Sequence, residues 1–395
     1  MAVYKLFPAQ DASIYSAYPA MNTGLDPILD VSNYVTESNA VSRVARSLIQ
    51  FDQDQIDNVI RNIASVTSSF VFTASLKSFI AKATNVTIDS YLEVYPIQTT
   101  SSISTWYNGT GQYLDNTQNT TGVSWAYQDY SGSNKWVTNG WFVPTTGSYS
   151  GSSNAGGGQW WYAAYGYQGI PTQSMQCTQS FSLRSDKDLN VDVTKIVKAW
   201  YSSSLGLNVG LVDLHNNGFI IKWEKDIEFT TSPAVTPQLS YYSVDTNTIY
   251  PPQLEIKWRD FSYNQGTLPL IQTPELFVSL QNNSGTYFSE SISQFRLNVR
   301  PQFPLRTFET SSMFTHNHVL PSASYWAIKD LDTNEFVVDF DTKNTQISCD
   351  PSGSYFTVYM NGLEPERYYQ ILIQTTIGNN TIVLDENYYF KVVNG

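Results

Sequence analysis

Val44-Ala45-Arg46-Ser47-Leu48-Ile49-Gln50-Phe51 reads as a β-strand. Val44, Arg46, Leu48 and Gln50 share one parity, while Ala45, Ser47, Ile49 and Phe51 share the other, the two-residue period of a pleated chain. The pattern recurs outward from there. Ala12-Ser13-Ile14-Tyr15 alternates small and large residues, and Ile28-Leu29-Asp30-Val31 follows the turn Asn22-Thr23-Gly24. Ser69 to Ala83 and Ser90 to Ile97 continue it, as do Val209 to Leu214, Phe219 to Trp223, Gln238 to Ser243 and Gln253 to Trp258. Helical periodicity is clearest at Val193, Ile196, Val197 and Trp200, which fall on one face, with Asp192 as the expected N-cap and Gly206 and Asn208 as breakers. Ile56, Val59, Ile60 and Ile63 predict a second short helix over Asp54 to Ile63.

Between about 100 and 175 the character changes. Trp106, Trp125, Trp136, Trp141, Trp160 and Trp161 are interleaved with Gly, Ser, Asn and Tyr, and Gly147 to Gly158 reads as a flexible loop. Tryptophan in such a setting is either a core plug or an exposed platform. Trp106, Trp136, Trp141, Trp160, Trp161 and Tyr162 are therefore the candidate contacts for a partner or a glycan, because sugar rings stack on aromatic faces.

Asp260 to Pro269 reads as a domain boundary. Beyond it lie candidate strands at Glu275 to Gln281, Gln294 to Val299, Tyr325 to Asp330, Phe336 to Phe340, Tyr355 to Met360, Arg367 to Gln374 and Tyr388 to Val393. Such a set over about 130 residues is an immunoglobulin-like count. The stretch Leu363-Glu364-Pro365-Glu366-Arg367-Tyr368-Tyr369 resembles a fibronectin type III turn, where a Leu-x-Pro element precedes a Tyr-bearing strand.

Composition narrows the function classes. The chain of 395 residues is 41% hydrophobic and 14% charged, with 27 Tyr, 20 Phe and 10 Trp. Uncharged polar surfaces with many aromatics suit strands. A net charge of −12, with no run of Lys or Arg, argues against a nucleic-acid groove. Met1 to Pro8 lacks the charged head and apolar core of a signal peptide, and no apolar run approaches a membrane span. The expected location is the cytoplasm until assembly.

The inventory for chemistry is poor. Cys177 and Cys349 are too few for a disulfide framework, and His215, His316 and His318 lack acidic or thiol companions for a metal. No Gly-x-Ser-x-Gly, His-Glu-x-x-His or P-loop motif occurs. Glu224, Asp226 and Glu228 alternate and read as the solvated face of a strand; a glycan-degrading enzyme would have to use them. The acidic loop Ser185-Asp186-Lys187-Asp188 is the nearest to a calcium site, and its Lys counts against one. No catalytic, cofactor-binding or metal residue is expected.

Several of these segments carry a resemblance. Asp11 to Tyr15 with Asn22-Thr23-Gly24, Arg46 to Phe51, Asp192-Val193-Thr194 to Trp200, and Asn208 to Leu211 resemble the DNRLRE-type domain, a β-jelly-roll family. Its Trp-x-Glu-x-x-x-Thr-Trp region is altered here, with Val123-Ser124-Trp125 as the nearest counterpart. The start Met1 to Pro8, Asp245 to Pro252, and Arg300-Pro301 through Thr310-Ser311-Ser312 look like virion structural proteins of contractile-tailed phages of marine cyanobacteria. The resemblances imply an all-β chain. Residues 1–262 would be a jelly-roll sandwich with a Trp/Gly-rich insertion and one short helix, and 270–395 an immunoglobulin- or fibronectin-III-like sandwich. They imply a non-enzymatic part of a tail, baseplate, neck or capsid surface, contacting other virion proteins and copies of itself. An adhesin binding a host surface glycan is the second expectation, and a glycan-degrading enzyme the third.

Overall fold

The computed structural model describes all residues except 1, 37–40, 67–70, 100–104, 114–120, 137–155, 162, 166–170, 207–213, 229, 231, 233–235 and 306–315. The architecture is β-sandwich-like and mostly β, with antiparallel sheets and a few short helices. The chain divides into two units. One comprises Leu6–Arg61 with Thr73–Glu255; the other comprises Met1–Lys5, Asn62–Phe72 and Ile256–Gly395.

The first unit is built on an 8-stranded sheet. Its order is Cys177–Phe181, Ser90–Pro96, Phe219–Trp223, Val41–Phe51, Ile28–Thr36, Gln238–Tyr242 and Ile80–Thr84. The central Val41–Phe51 strand forks: Val41 to Ala45 pair with Ser32 to Thr36, whereas Ala45 to Phe51 pair with Pro8–Tyr15. Val44, Ala45, Arg46, Ser47, Leu48, Ile49 and Phe51 are all buried, so both parities of the strand face protein. Each Leu, Ile or Phe so buried contributes about 1.5–3 kcal/mol before entropy is counted. Phe72–Ser78 and Leu189–Asp192 pair antiparallel in a second sheet.

Among the described residues both helices that the periodicity predicts are formed, where the resemblance implied one. Gln53–Val66 buries Ile56, Val59 and Ile60, and the Asp52 carboxylate accepts the Gln55 N–H at 2.9 Å as its cap. Thr194–Ser204 buries Ile196, Val197 and Trp200. Its N-cap is Val193, not Asp192; the Asp192 carboxylate instead accepts the Thr194 N–H at 2.9 Å.

The second unit holds two sheets around an apolar core of Phe295, Leu297, Trp326, Ile328, Phe356, Tyr369, Ile371 and Phe390 among others. A 4-stranded sheet runs Leu276–Leu280, Ile292–Pro301, Gly353–Tyr359 and Ser348–Asp350. A 5-stranded sheet runs Thr286–Phe288, Asn380–Val393, Tyr368–Ile377, Ser324–Asp330 and Phe336–Val338. The segment read as a boundary is part of this unit. Asn264 donates its N–H to Cys349 O, and Cys349 donates to Ser262 O, both at 2.9 Å, so residues 262–264 cover the edge of Ser348–Asp350. The N-terminus joins this unit too: Asn361 Nδ2 donates to Lys5 O at 2.6 Å, and the Tyr4 ring packs edge-on against Tyr359.

Candidate functional site

The feature with most chemistry is a charged cluster inside the first unit. Arg46 rises from the central strand and meets Glu228 in a two-pronged pair, with Nε to Oε1 at 2.6 Å and Nη2 to Oε2 at 2.9 Å. Lys222, on Phe219–Trp223, donates to Glu93 Oε2 at 2.7 Å and lies 3.5 Å from Glu228 Oε2. Lys222 and Glu93 are direct cross-strand neighbours, so the sheet register itself brings them together. Gln176 Nε2 completes the set by donating to Glu93 Oε1 at 2.7 Å.

Aromatic rings roof the cluster. The Arg46 guanidinium lies 5.0 Å from the Trp125 ring centroid and 5.1 Å from that of Trp160, and Lys222 Nζ lies 5.8 Å from Trp160. Arg46 also donates through Nη1 to Gly157 O. Gly157 stands at φ +88°, and a Cβ there would lie 2.7 Å from both Arg46 Nη1 and the Trp125 ring. This is the physical use of the glycine run: Gly157 and Gly158 are buried rather than parts of a free loop, while 147–155 lie outside the described residues.

Burial alone would raise the Glu228 carboxyl. Arg46 and Lys222 outweigh it and hold the group below the ordinary carboxylate range. Two cations against two carboxylates make the cluster charge-balanced. Glu224 behaves oppositely: burial first, then Glu93 and Asp226, push it up, against the N–H donated by Tyr91. The three acids read as one strand face are therefore separated. Lys225–Glu228 is a short helix, which turns Glu228 inward while Asp226 remains exposed.

The described tryptophans of this stretch are placed inside, not on a platform. Trp106, Trp125, Trp136 and Trp160 belong to one buried cluster with Ile14, Leu48, Tyr95 and Ile220, and Trp161 is buried as well. Trp106 Nε1 donates to Asn217 O at 2.8 Å and Trp136 Nε1 to Ser124 O at 2.9 Å, so their polar edges are satisfied internally. The contact role expected for Trp106, Trp136, Trp160 and Trp161 is corrected to a core role, because none presents an open ring face. Trp141 and Tyr162 lie outside the described residues.

Asn22 explains why the insertion packs. Its Nδ2 donates to Asn108 O at 2.6 Å and Val123 O at 2.7 Å, and its Oδ1 accepts the Gly111 N–H at 2.8 Å. Gly109 and Gly122, both at positive φ, leave room for it. Sequence reading took Asn22 as a turn residue. Neither its partners 86 to 101 residues away nor the Arg46 partner at Glu228 leaves a local signal.

The remaining candidates separate. His215 and His316 are exposed, and His318 is partly buried. Among the described residues no group of acids, thiols and imidazoles is arranged to hold a metal ion. In the acidic loop, Lys187 Nζ donates to Ser182 O at 2.8 Å and also to Ser185 O, placing its own ammonium among the carbonyls a cation would use. Cys177 and Cys349 are free and buried, and burial pushes the Cys177 thiol up to about 11. Among the described residues no helix is long and apolar enough to cross a membrane. Asn208 to Leu211 and Thr310 to Ser312 lie outside the described residues.

Comparison with known proteins adds little. No protein-family model and no curated relative matches the chain. A solved structure of a DUF4785 family protein from Legionella pneumophila subsp. pneumophila str. Philadelphia 1 aligns over 98% of this chain and 66% of that one. The identity is 9% and the TM-score 0.16, too low to carry an inference.

Proposed function

We propose that this chain is a structural component of a phage virion, in a tail, baseplate or neck, acting by contact rather than turnover. The observation that carries the reading is the closed interior cluster. Arg46, Lys222, Glu93 and Glu228 are committed to one another and roofed by Trp125 and Trp160, a use of charge that fixes a scaffold. The phage assignment itself rests on the sequence resemblance.

Finer fold readings belong to the same proposal. Support for an immunoglobulin-like second unit comes from strand order: the 4-stranded sheet follows A-B-E-D and the 5-stranded sheet A′-G-F-C-C′. Tyr369 adds to it, donating its hydroxyl to Glu364 O at 3.0 Å across the Leu363-Glu364-Pro365 turn, in the manner of a tyrosine corner. For the first unit, the all-antiparallel 8-stranded sheet is compatible with a jelly roll. The experiment is a cryo-EM reconstruction of the source particle. Repeated copies wedged between other virion proteins are expected; a particle that assembles and infects normally without this chain overturns the proposal.

A second reading, glycan contact during host adsorption, is favoured by a different surface from the one the sequence suggested. Phe288, Tyr368 and Tyr389 are each about half exposed on neighbouring strands of the second unit, beside Lys391. Tyr368→Ala with Tyr389→Ala is expected to abolish any binding seen on a glycan array, and unaltered binding removes this reading.

A further inference from the structure

A second buried carboxyl, outside the Arg46 cluster, is placed differently. Asp11 lies in Pro8–Tyr15 and is 1% exposed. Its Oδ2 accepts the N–H of Val244 at 2.7 Å. That bond ties the strand to the segment Ser243–Tyr250, which leaves the sheet after Gln238–Tyr242.

The groups facing Asp11 share one sign. Its strand pairs with Val41–Phe51, which places Ile49 opposite Asp11. Asp245, next to Val244, and Asp26 act on it as like charges, and no described cation offsets them. Asp26 is fixed by the N–H groups of Ile28 at 3.0 Å and Tyr113 at 2.8 Å, and Asp245 is exposed. On the same strand, Tyr15 donates its hydroxyl to Asp30 at 2.8 Å, and Ser240 donates to the other oxygen of Asp30 at 2.6 Å. Asp30 therefore has neutral donors, and Arg46, on the next strand, is spent on Glu228 and Gly157. A carboxylate at Asp11 would be a buried charge facing two others. A neutral carboxyl keeps the Val244 bond and avoids that cost.

We propose that Asp11 is a proton-operated latch, holding Ser243–Tyr250 against the Pro8–Tyr15 strand while its carboxyl carries a proton. Burial pushes the group up to about 8, the Val244 N–H opposing and Asp245 and Asp26 adding to the rise. With the segment open, Asp11 is wet and returns to the ordinary value near 4. The closed form thus binds a proton that the open form releases between about pH 4 and pH 8. Linkage then makes the opening constant rise toward tenfold per pH unit across that window and level off above it.

The test is hydrogen exchange by mass spectrometry on the full chain from pH 5 to 9.5, corrected for intrinsic exchange. It follows a peptide spanning Val244, with one spanning Gly353–Tyr359 as reference. In the wild type, opening at Val244 is expected to rise steeply to about pH 8 and then flatten. Asp11→Asn keeps an acceptor oxygen without a titrating proton and is expected to give a flat profile. Asp245→Asn, a change at an exposed residue, leaves Asp11 intact and should move the plateau to lower pH. A wild-type profile as flat as the reference overturns the proposal, as does an Asp245→Asn plateau that does not move. Restoration of protection at pH 8.5 by millimolar calcium would also overturn it, making the cluster a cation seat instead.

Discussion

The two units solve the same packing problem with opposite chemistry. The second unit fills its sandwich with an apolar set, Phe295 and Phe356 stacked and Trp326 stacked on Phe356, and its two arginine–carboxylate pairs each keep a partly exposed arginine. There Arg296 meets Asp350 at 2.7 Å and Arg367 meets Asp330 at 2.7 Å. The first unit buries a guanidinium, an ammonium and the Glu228 carboxylate under indole rings, with Glu93 partly buried beside them. A dry core tolerates volume changes by repacking; a buried charge network has few acceptable arrangements. The difference teaches that the Trp-rich insertion is held by a partner-specific lock rather than by apolar collapse alone.

The largest expected effect tests that lock. Arg46→Met removes the two-pronged partner of the buried Glu228 carboxylate and is expected to cost about 3–5 kcal/mol in chemical denaturation. The double variant Arg46→Met with Glu228→Leu should recover much of the loss; no recovery would mean that packing, not charge balance, sets the cost. Next comes Asn22→Ala, which orphans the carbonyls of Asn108 and Val123 and the N–H of Gly111. About 2–3 kcal/mol is expected, with increased proteolysis within 105–136 and unchanged protection at Gly353–Tyr359.

Smaller effects sharpen the contrast in acid. Asp330 is held below the ordinary carboxylate range because the bonds from Arg367, Asp332 N–H and Thr333 N–H outweigh burial. Asp350 is held low first by the Arg296 bond. For both, the folded value lies below the unfolded one. Their stabilisation is therefore complete above about pH 4 and is lost as pH falls through the folded values. The second unit should weaken below about pH 4, and Asp330→Asn should flatten part of that decline in acid titrations followed by circular dichroism. Tyr369→Phe, which removes the hydroxyl bond to Glu364 O, is expected to cost about 1 kcal/mol in urea unfolding.

What the sequence made legible follows the range of the interactions. The Thr194–Ser204 helix was readable because its buried face repeats within one helical turn. Most strands were readable from alternation, and Val41–Phe51 from having useful residues on both parities. Several strands were missed, among them Cys177–Phe181 and Leu189–Asp192 in the first unit and two short ones in the second. Thr286–Phe288 sits among Asn, Ser and Gly, and Ser348–Asp350 is too short to show a period. The Asn380–Val393 strand was read only from Tyr388 onward, since the polar run Asp385-Glu386-Asn387 interrupts its alternation. The strand carries those residues as a local irregularity in pairing, with Asn387 at φ +56°. The burial of the tryptophans was undecidable locally, because the Asn22 and Glu228 side chains that close over their region arrive from far along the chain.

Hydroxyl-radical footprinting of the intact protein, read peptide by peptide, tests this account most directly. Trp106, Trp136 and Trp160 are expected to stay nearly unmodified while Tyr107, Tyr368 and Tyr389 react readily. Indoles at 106, 136 and 160 that react as fast as those exposed tyrosines would contradict the locked core and return the insertion to the surface.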